Sequence, residues 1–113
     1  MNASHITTHV LDNGTGKPAA GVKALLEAQT ASGWQEIAAG KTDSDGRIKN
    51  LGPEAVAAGA YRIRFETGAY FAATGTETFF PSVEVVFEVK DAAQHYHVPL
   101  LISPFAYSTY RGS

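Results

Sequence analysis

Four histidines are the side chains best suited to chemistry near neutral pH: His5, His9, His95 and His97. Histidine changes charge in this range, so a pair on one surface can activate water and move a proton. The chain has no cysteine, which excludes a thiol nucleophile, thiolate metal sites and disulfides. It also lacks a Gly-x-Ser-x-Gly segment, so a serine-triad hydrolase is unsupported. These residue types favour acid–base chemistry by histidine.

Other sites fit the sequence less well. His95 and His97 stand two residues apart with no carboxylate beside them, which is weak support for zinc. The segment Gly14–Lys17 lacks the full spacing of a phosphate loop. The segment Asp43–Gly46 resembles part of a calcium loop, but the required glutamate position falls on Gly52. We therefore expect no metal site. Exposed or structurally hydrogen-bonded histidines would also fit this spacing.

The elements that carry these residues follow from alternation of apolar and polar side chains, which is typical of half-buried strands. We predict strands at residues 5–12, 22–29, 34–42, 46–50, 60–67, 82–90, 94–102 and 105–110. Residues 53–58 and 67–74 are predicted as short helical pieces. Many short strands with little helix indicate an all-β sandwich or barrel. The length of 113 residues fits one domain, residues 1–113.

Strand parity then predicts which side chains leave the core. Ile6 and Val10 suit the core of the first strand, so the outward set there comprises His5, Thr7, His9 and Leu11. In strand 94–102 the core set comprises Tyr96, Val98 and Leu100, which turns His95, His97, Pro99 and Leu101 outward. Alternate residues of a strand face opposite sides of a sheet. The histidines are therefore expected on outer faces.

The last strand extends this outer face. Phe105 and Tyr107 suit the core, which places Ser108 and Tyr110 outside. Leu11, Leu101 and Ile102 are expected around the histidines, and an apolar outer face on a small sandwich indicates a partner or ligand. If the strands are neighbours, one pocket is expected to hold the outward side chains His9, His97 and Tyr110, and a second subunit could complete it.

Charge and hydropathy limit the kinds of partner that we expect for this protein. The net charge is −2 and no block of like charges occurs, so we expect neither nucleic acid nor a membrane as a partner. No apolar stretch is long enough to span a bilayer. The segment Met1–His5 lacks the features of a secretory signal, which predicts the cytoplasm. A processed periplasmic form would look the same.

Three segments together resemble one family. His95–Pro104 and the ending Tyr107–Ser113, which closes on Tyr-Arg-Gly-Ser, closely resemble the end of the 5-hydroxyisourate hydrolases. Ile6–Asp12, followed by Gly-Lys-Pro-Ala at 16–19, matches the family's opening. Thr42–Arg47, with the pattern Thr-Asp-x-Asp-Gly-Arg, matches its middle motif. The resemblance covers the whole chain.

The resemblance implies an all-β, transthyretin-like β-sandwich of two four-stranded antiparallel sheets with one short helix. It implies a homotetramer, a dimer of dimers, with active sites at the dimer–dimer interface. The implied reaction is hydrolysis of 5-hydroxyisourate to 2-oxo-4-hydroxy-4-carboxy-5-ureidoimidazoline in urate breakdown, without a cofactor. Water activated by histidine would attack a ring amide.

The resemblance also implies the site residues. The catalytic residues would be His9, Arg47, His97 and Ser113, and the residues that bind substrate would be His9, Arg47, Tyr110, Arg111 and Gly112. In transthyretin, the related thyroid-hormone carrier, other residues replace His9, Arg47 and His97, and the terminal tetrapeptide is missing. A non-catalytic ligand carrier on the same fold is the alternative, and a monomeric structural sandwich module is a second one.

Overall fold

The computed structural model describes residues 3–113, which form nine strands and one helix. The strands are β1 Ile6–Asp12, β2 Lys17–Pro18, β3 Lys23–Thr30, β4 Gly33–Lys41, β5 Arg47–Ile48, β6 Gly59–Phe65, β7 Val83–Val89, β8 Tyr96–Ser103 and β9 Ala106–Thr109, and the helix is α1 Thr67–Ala73. Met1 and Asn2 lie outside the described residues. They belong to the segment Met1–His5, from which the cytoplasmic location was predicted. Within residues 3–113, no helix is long and apolar enough to cross a membrane.

The strands form two sheets. One has the order β4-β3-β6-β7 and is antiparallel throughout. The other has the order β2-β1-β8-β9, with β5 also paired to β1. The predicted β-sandwich with a short helix is confirmed. Antiparallel pairing holds everywhere except between β1 and β8, which run parallel, and the short strand β2 was not predicted.

The core lies between the sheets and is built by alternation. Tyr61, Ile63 and Phe65 of β6 are buried, while Arg62 and Arg64 between them are not. The predicted inward residues of β1 and β8 are also buried, among them Val10 and Leu100 with no exposed surface. A pleated strand imposes this period of two whenever one face is covered. The core residues that parity predicted for β1 and β8 are confirmed.

The helical piece predicted at residues 53–58 is wrong, because this segment has no helix. Its backbone groups bond to other parts of the molecule instead of to each other. The Pro53 carbonyl accepts the His5 N–H, the Val56 N–H donates to the His5 ring, and the Ala57 carbonyl accepts the Tyr61 hydroxyl. A backbone group engaged outside the segment cannot close a helical turn.

Four predicted side-chain placements are also wrong. Phe105 and Tyr107 were expected in the core but are 64% and 43% exposed, because Phe105 lies in the turn before β9 and β9 itself is an edge strand. Ile102 was expected beside the histidines but is buried in the core, on the same face of β8 as Leu100. His5, expected outside, precedes β1 and is buried.

Candidate active site

Two strand pairings on β1 assemble the site. β8 runs parallel to β1, which sets Thr7 beside His97, and β5 runs antiparallel to β1, which sets His9 beside Arg47. Directly paired residues share a face of the sheet. The neighbouring pair, Thr8 and Ile48, is buried in the core. His9, Arg47, Thr7 and His97 therefore lie together on the outer face.

The turn before β5 positions Arg47. The Asp43 carboxylate accepts the backbone N–H groups of Asp45 at 2.9 Å and Arg47 at 3.0 Å. These bonds, that of Arg47 first, lower the pKa of Asp43. Gly46 has a positive φ of 78°, a conformation that favours glycine. The motif Asp-x-Asp-Gly-Arg thus encodes a tight turn that starts β5 at the arginine.

His9 is anchored to the same turn. Its Nε2–H donates to the Asp45 carbonyl oxygen at 2.9 Å. A neutral imidazole has one N–H and one bare nitrogen, so Nδ1 of His9 is left as the acceptor. The turn therefore fixes the orientation of His9 as well as the start of β5.

His97 is half-buried and hydrogen-bonded through one nitrogen. Its Nδ1 lies 2.8 Å from the hydroxyl of Thr7, and Nε2 of His95 lies 2.9 Å from the same oxygen. Burial lowers the pKa of His97, and the nearby charges of Arg47, His9 and His95 lower it further, against a smaller opposite effect of the Thr7 backbone. A histidine with a lowered pKa is unprotonated near neutral pH and is able to accept a proton.

The C-terminal residues pack directly on His97. The Gly112 N–H donates to the His97 carbonyl at 2.9 Å, and the two residues form an isolated antiparallel bridge. The next residue, Ser113, reaches the cavity on the outer face. The tail therefore covers one edge of the histidine.

We call this cavity the His97 pocket, a depression of about 280 Å³. It is lined by Ala3, Thr7, Thr8, Arg47, Ile48, Lys49, His95, His97 and Ser113. Two cationic side chains and two histidines line it, and no acidic side chain does. No group of three or more His, Asp or Glu side chains within residues 3–113 is arranged to hold a metal ion. The chemistry of the lining suits a substrate rich in oxygen acceptors.

Tyr110 and Arg111 do not line the His97 pocket. Both line a second cavity of about 510 Å³, bounded by β7, β8 and β9, which we call the tail cavity. The Arg111 guanidinium lies 4.4 Å from the ring centre of Tyr96 and donates to Gln94 at 3.1 Å. His97 lines both cavities. The structure thus brings Arg47, His97 and Ser113 together in the His97 pocket, with His9 paired to Arg47, whereas Tyr110 and Arg111 meet His97 only in the tail cavity.

His5 has a different environment. Its Nδ1 accepts the Val56 N–H at 2.8 Å, its Nε2 bonds the Gln94 carbonyl, and its ring packs near Tyr96. Both ring nitrogens are occupied by backbone partners. His5 is a structural histidine that ties two loops to the start of β1.

Thr7 and Lys49 are pocket residues that the sequence reasoning did not select as functional. Parity placed Thr7 on the outer face, but nothing local to Thr7 shows that it contacts two histidines about ninety residues away. Lys49 follows the two-residue strand β5, which is too short for a periodic signal. Both depend on long-range pairing of β1.

The comparison with known proteins agrees with this architecture. The HIUase/transthyretin family matches residues 6–112, nearly the whole chain. The chain belongs to the HIUase/transthyretin family. The resemblance inferred from the three sequence motifs is therefore confirmed.

Individual members of the HIUase/transthyretin family are similar at full length. A 5-hydroxyisourate hydrolase of Salmonella dublin is 51% identical over 109 residues, covering 96% of this chain and 80% of the relative. The structure of Klebsiella pneumoniae 5-hydroxyisourate hydrolase has a TM-score of 0.86 at 38% identity, covering 96% of this chain and 98% of that one. Sea bream transthyretin in complex with thyroxine has a TM-score of 0.90 at 39% identity, covering 95% and 93%. Fold similarity alone does not separate these two activities.

Proposed function

We propose that this protein is a cyclic amide hydrolase that converts 5-hydroxyisourate to 2-oxo-4-hydroxy-4-carboxy-5-ureidoimidazoline in urate breakdown. The observation that carries the proposal is a half-buried His97 with a lowered pKa in the same pocket as Arg47. The pair combines a proton acceptor with a fixed cation. Hydrolysis of an amide needs both, one for the attacking water and one for the oxygen that becomes negative.

His97 acts as the general base in this proposal, with His9 helping to hold the water. Water loses a proton as it adds to the ring amide carbon, and the tetrahedral intermediate then breaks its C–N bond. The proton passes to the departing nitrogen, so the product gains one carboxyl group and one N–H, and the carboxyl group then releases its own proton to solvent. General-base assistance of this kind contributes about 10²–10⁴ in rate.

Arg47 binds the carbonyl oxygen and balances its negative charge in the transition state. A guanidinium presents a rigid fork of donors that suits this task. Within residues 3–113, no side-chain carboxylate lies within ion-pair distance of Arg47. Its charge is therefore available to a substrate, and loss of one such donor costs about 10²–10³ in turnover.

Gly112 and Ser113 shape the His97 pocket of their own subunit. Tyr110 and Arg111 complete this pocket from the tail of a neighbouring subunit. Because Tyr110 is 60% exposed and borders the tail cavity, its proposed substrate contact requires the tail of a neighbouring subunit. We therefore include a homotetramer, a dimer of dimers, in the proposal. It is supported by the open edges of β7 and β9 and by exposed apolar side chains such as Val86 and Phe105.

A ligand carrier is the competing function, because sea bream transthyretin in complex with thyroxine has the same fold. A carrier has no need for the paired histidines or for Arg47 in its cavity. The two functions differ in one measurable property, since a carrier binds its ligand without turnover.

The decisive experiment follows 5-hydroxyisourate by ultraviolet absorbance while urate oxidase produces it, with and without this protein. We expect faster decay with the protein and at least about 10² lower turnover in His97→Asn and Arg47→Ala. Arg64→Ala is the matched control, since Arg64 lies in the other sheet and pairs with Glu66. A folded protein that leaves the decay unchanged would contradict the proposal and favour the carrier.

The assembly and location have separate tests. Light scattering is expected to give a mass about four times the subunit mass of 12.0 kDa. A fully active monomer would contradict the tetramer but not the proposed hydrolysis. The cytoplasmic location stays a prediction that cell fractionation tests.

A further inference from the structure

The Thr7 hydroxyl lies between two imidazoles. Its Oγ1 is 2.8 Å from Nδ1 of His97 and 2.9 Å from Nε2 of His95. A hydroxyl has one hydrogen to donate and accepts through its lone pairs. With both rings neutral, it donates to one histidine and accepts from the other. The three groups therefore form a chain with a direction, and that direction decides where the proton of His97 lies.

We propose that Thr7 is a positioning residue for His97 and that His95 sets the direction of the Thr7 hydroxyl. In this arrangement Nδ1–H of His97 donates to Thr7, and Thr7 donates to Nε2 of His95. The hydrogen bond at one imidazole nitrogen determines which nitrogen carries the proton. Nε2 of His97 is thereby left bare, which is the form that removes a proton from water. This inference rests on the proposed function.

The surroundings favour this direction over the reverse one. In the reverse chain, Nδ1 of His97 would accept from Thr7 and Nε2 would carry the proton. Among residues 3–113, no hydrogen-bond partner occupies Nε2 of His97, and the ring lines the same pocket as the cations Arg47 and Lys49. A bare nitrogen lone pair is more favourable than an N–H dipole in a field of positive charge. His95 is exposed, so its own N–H can be solvated by water on the other side.

Burial makes the contact specific. Thr7 is 7% exposed, so water does not readily replace its hydroxyl as the partner of His97. Valine has nearly the same shape as threonine and lacks the hydroxyl, which makes Thr7→Val a clean deletion of the hydrogen bond. Serine keeps the hydroxyl and makes Thr7→Ser the rescue variant.

The direct test is the tautomer of His97, measured by two-bond ¹H–¹⁵N spectra of the imidazoles at mildly alkaline pH. We expect the proton of His97 on Nδ1 in the native protein and in Thr7→Ser. In Thr7→Val we expect a mixture with the Nε2–H form. Thr78→Val is the matched control, because its half-buried hydroxyl donates to the Pro104 carbonyl outside the pocket. A native His97 with its proton on Nε2 would overturn the inference.

His95→Leu tests the other end of the chain from an exposed position, where folding is not at risk. Without its acceptor, the Thr7 hydroxyl is free to donate to Nδ1 of His97, so the Nε2–H form of His97 should appear. An unchanged single Nδ1–H form in both His95→Leu and Thr7→Val would also overturn the inference.

Kinetics provide the second readout. For Thr7→Val we expect kcat for 5-hydroxyisourate to fall about 10- to 100-fold while KM changes little, by analogy with the loss of groups that orient metal-bound histidines. Thr7→Ser should recover most of kcat and Thr78→Val should retain it. If the native protein shows no turnover, the proposed function fails while the tautomer measurement still tests Thr7. If the native protein is active and Thr7→Val matches it, the positioning role fails alone.

Discussion

Gly112 lies so close to His97 that no side chain fits between them. A Cβ added to Gly112 would stand 2.5 Å from Cδ2 of the His97 ring and 3.0 Å from Cγ of Pro99. The backbone bridge between the two residues fixes this approach. The glycine of the Tyr-Arg-Gly-Ser segment therefore allows the backbone to pack directly against the imidazole.

Gly112→Ala should lower turnover by at least about 10-fold with little loss of global stability, because either the tail or the His97 ring must move. A displacement of this size in a positioned catalytic group is costly. The measurement is the rate of 5-hydroxyisourate decay together with thermal unfolding. Gly16→Ala is the control, since nothing lies within 4 Å of its added methyl and only its positive φ is strained. Native turnover in Gly112→Ala would contradict the requirement for a residue without a side chain at this position.

The pH dependence of catalysis should show the lowered pKa of His97. Burial, followed by the charge of Arg47, keeps the pKa of His97 below its ordinary value, so the base form persists to lower pH. The acidic limb of kcat/KM is therefore expected below about 6.5. Arg47→Ala should shift this limb to higher pH, because a cation that opposes protonation is gone. Arg47→Lys should keep the limb low but still reduce turnover, because lysine lacks the fork.

These shifts are checked by pH profiles and by an NMR titration of His97 in each variant. Arg64→Ala, a charge change on the other sheet, should leave the profile unchanged. An acidic limb at or above the ordinary histidine value in the native protein would contradict His97 as the base.

His5→Ala should destabilise the fold without changing the activity of the folded fraction. The substitution leaves the Val56 N–H and the Gln94 carbonyl without their partner, and an unsatisfied buried group costs about 1–3 kcal/mol. Urea unfolding should give a loss of about 2–4 kcal/mol. His95→Ala, at an exposed histidine, is the control and should leave the stability near native. Native stability in His5→Ala would show that the two loops do not depend on the ring.

Tyr70 should make stability sensitive to alkali. Its hydroxyl donates to Asp12 Oδ2 at 2.8 Å, and burial, followed by this carboxylate, raises its pKa to about 12. The unfolded tyrosine ionises near pH 10, so the folded state binds the proton more tightly. The stabilisation is present below about pH 10 and is lost as the pH rises towards about 12.

Tyr70→Phe should lose about 1–3 kcal/mol at neutral pH and lose less further stability than the native protein above about pH 10. Urea unfolding at several pH values measures both effects. Tyr107→Phe on the exposed edge strand β9 is the control. Parallel pH curves for native protein and Tyr70→Phe would rule out this coupling between α1 and β1.

The sequence alone predicted the β-sandwich, most strands and the inward residues of β1 and β8. Alternation is a local property, because the pleat turns successive side chains to opposite faces. The motifs around His9, Arg47 and His97 predicted the family for the same reason, since each is a short contiguous run. Parity failed at Phe105 and Tyr107, where the missing information was that β9 and the turn before it lie at the edge of a sheet.

The tertiary structure decided which outward residues meet. The parallel pairing of β1 with β8 joins residues about ninety positions apart, and it places Thr7 rather than His9 opposite His97. No local pattern encodes that register. The same holds for the separation of His5 and of Tyr110 from the His97 pocket. Side-chain composition determined what chemistry was available, whereas long-range strand pairing determined which groups are within hydrogen-bond distance to carry it out.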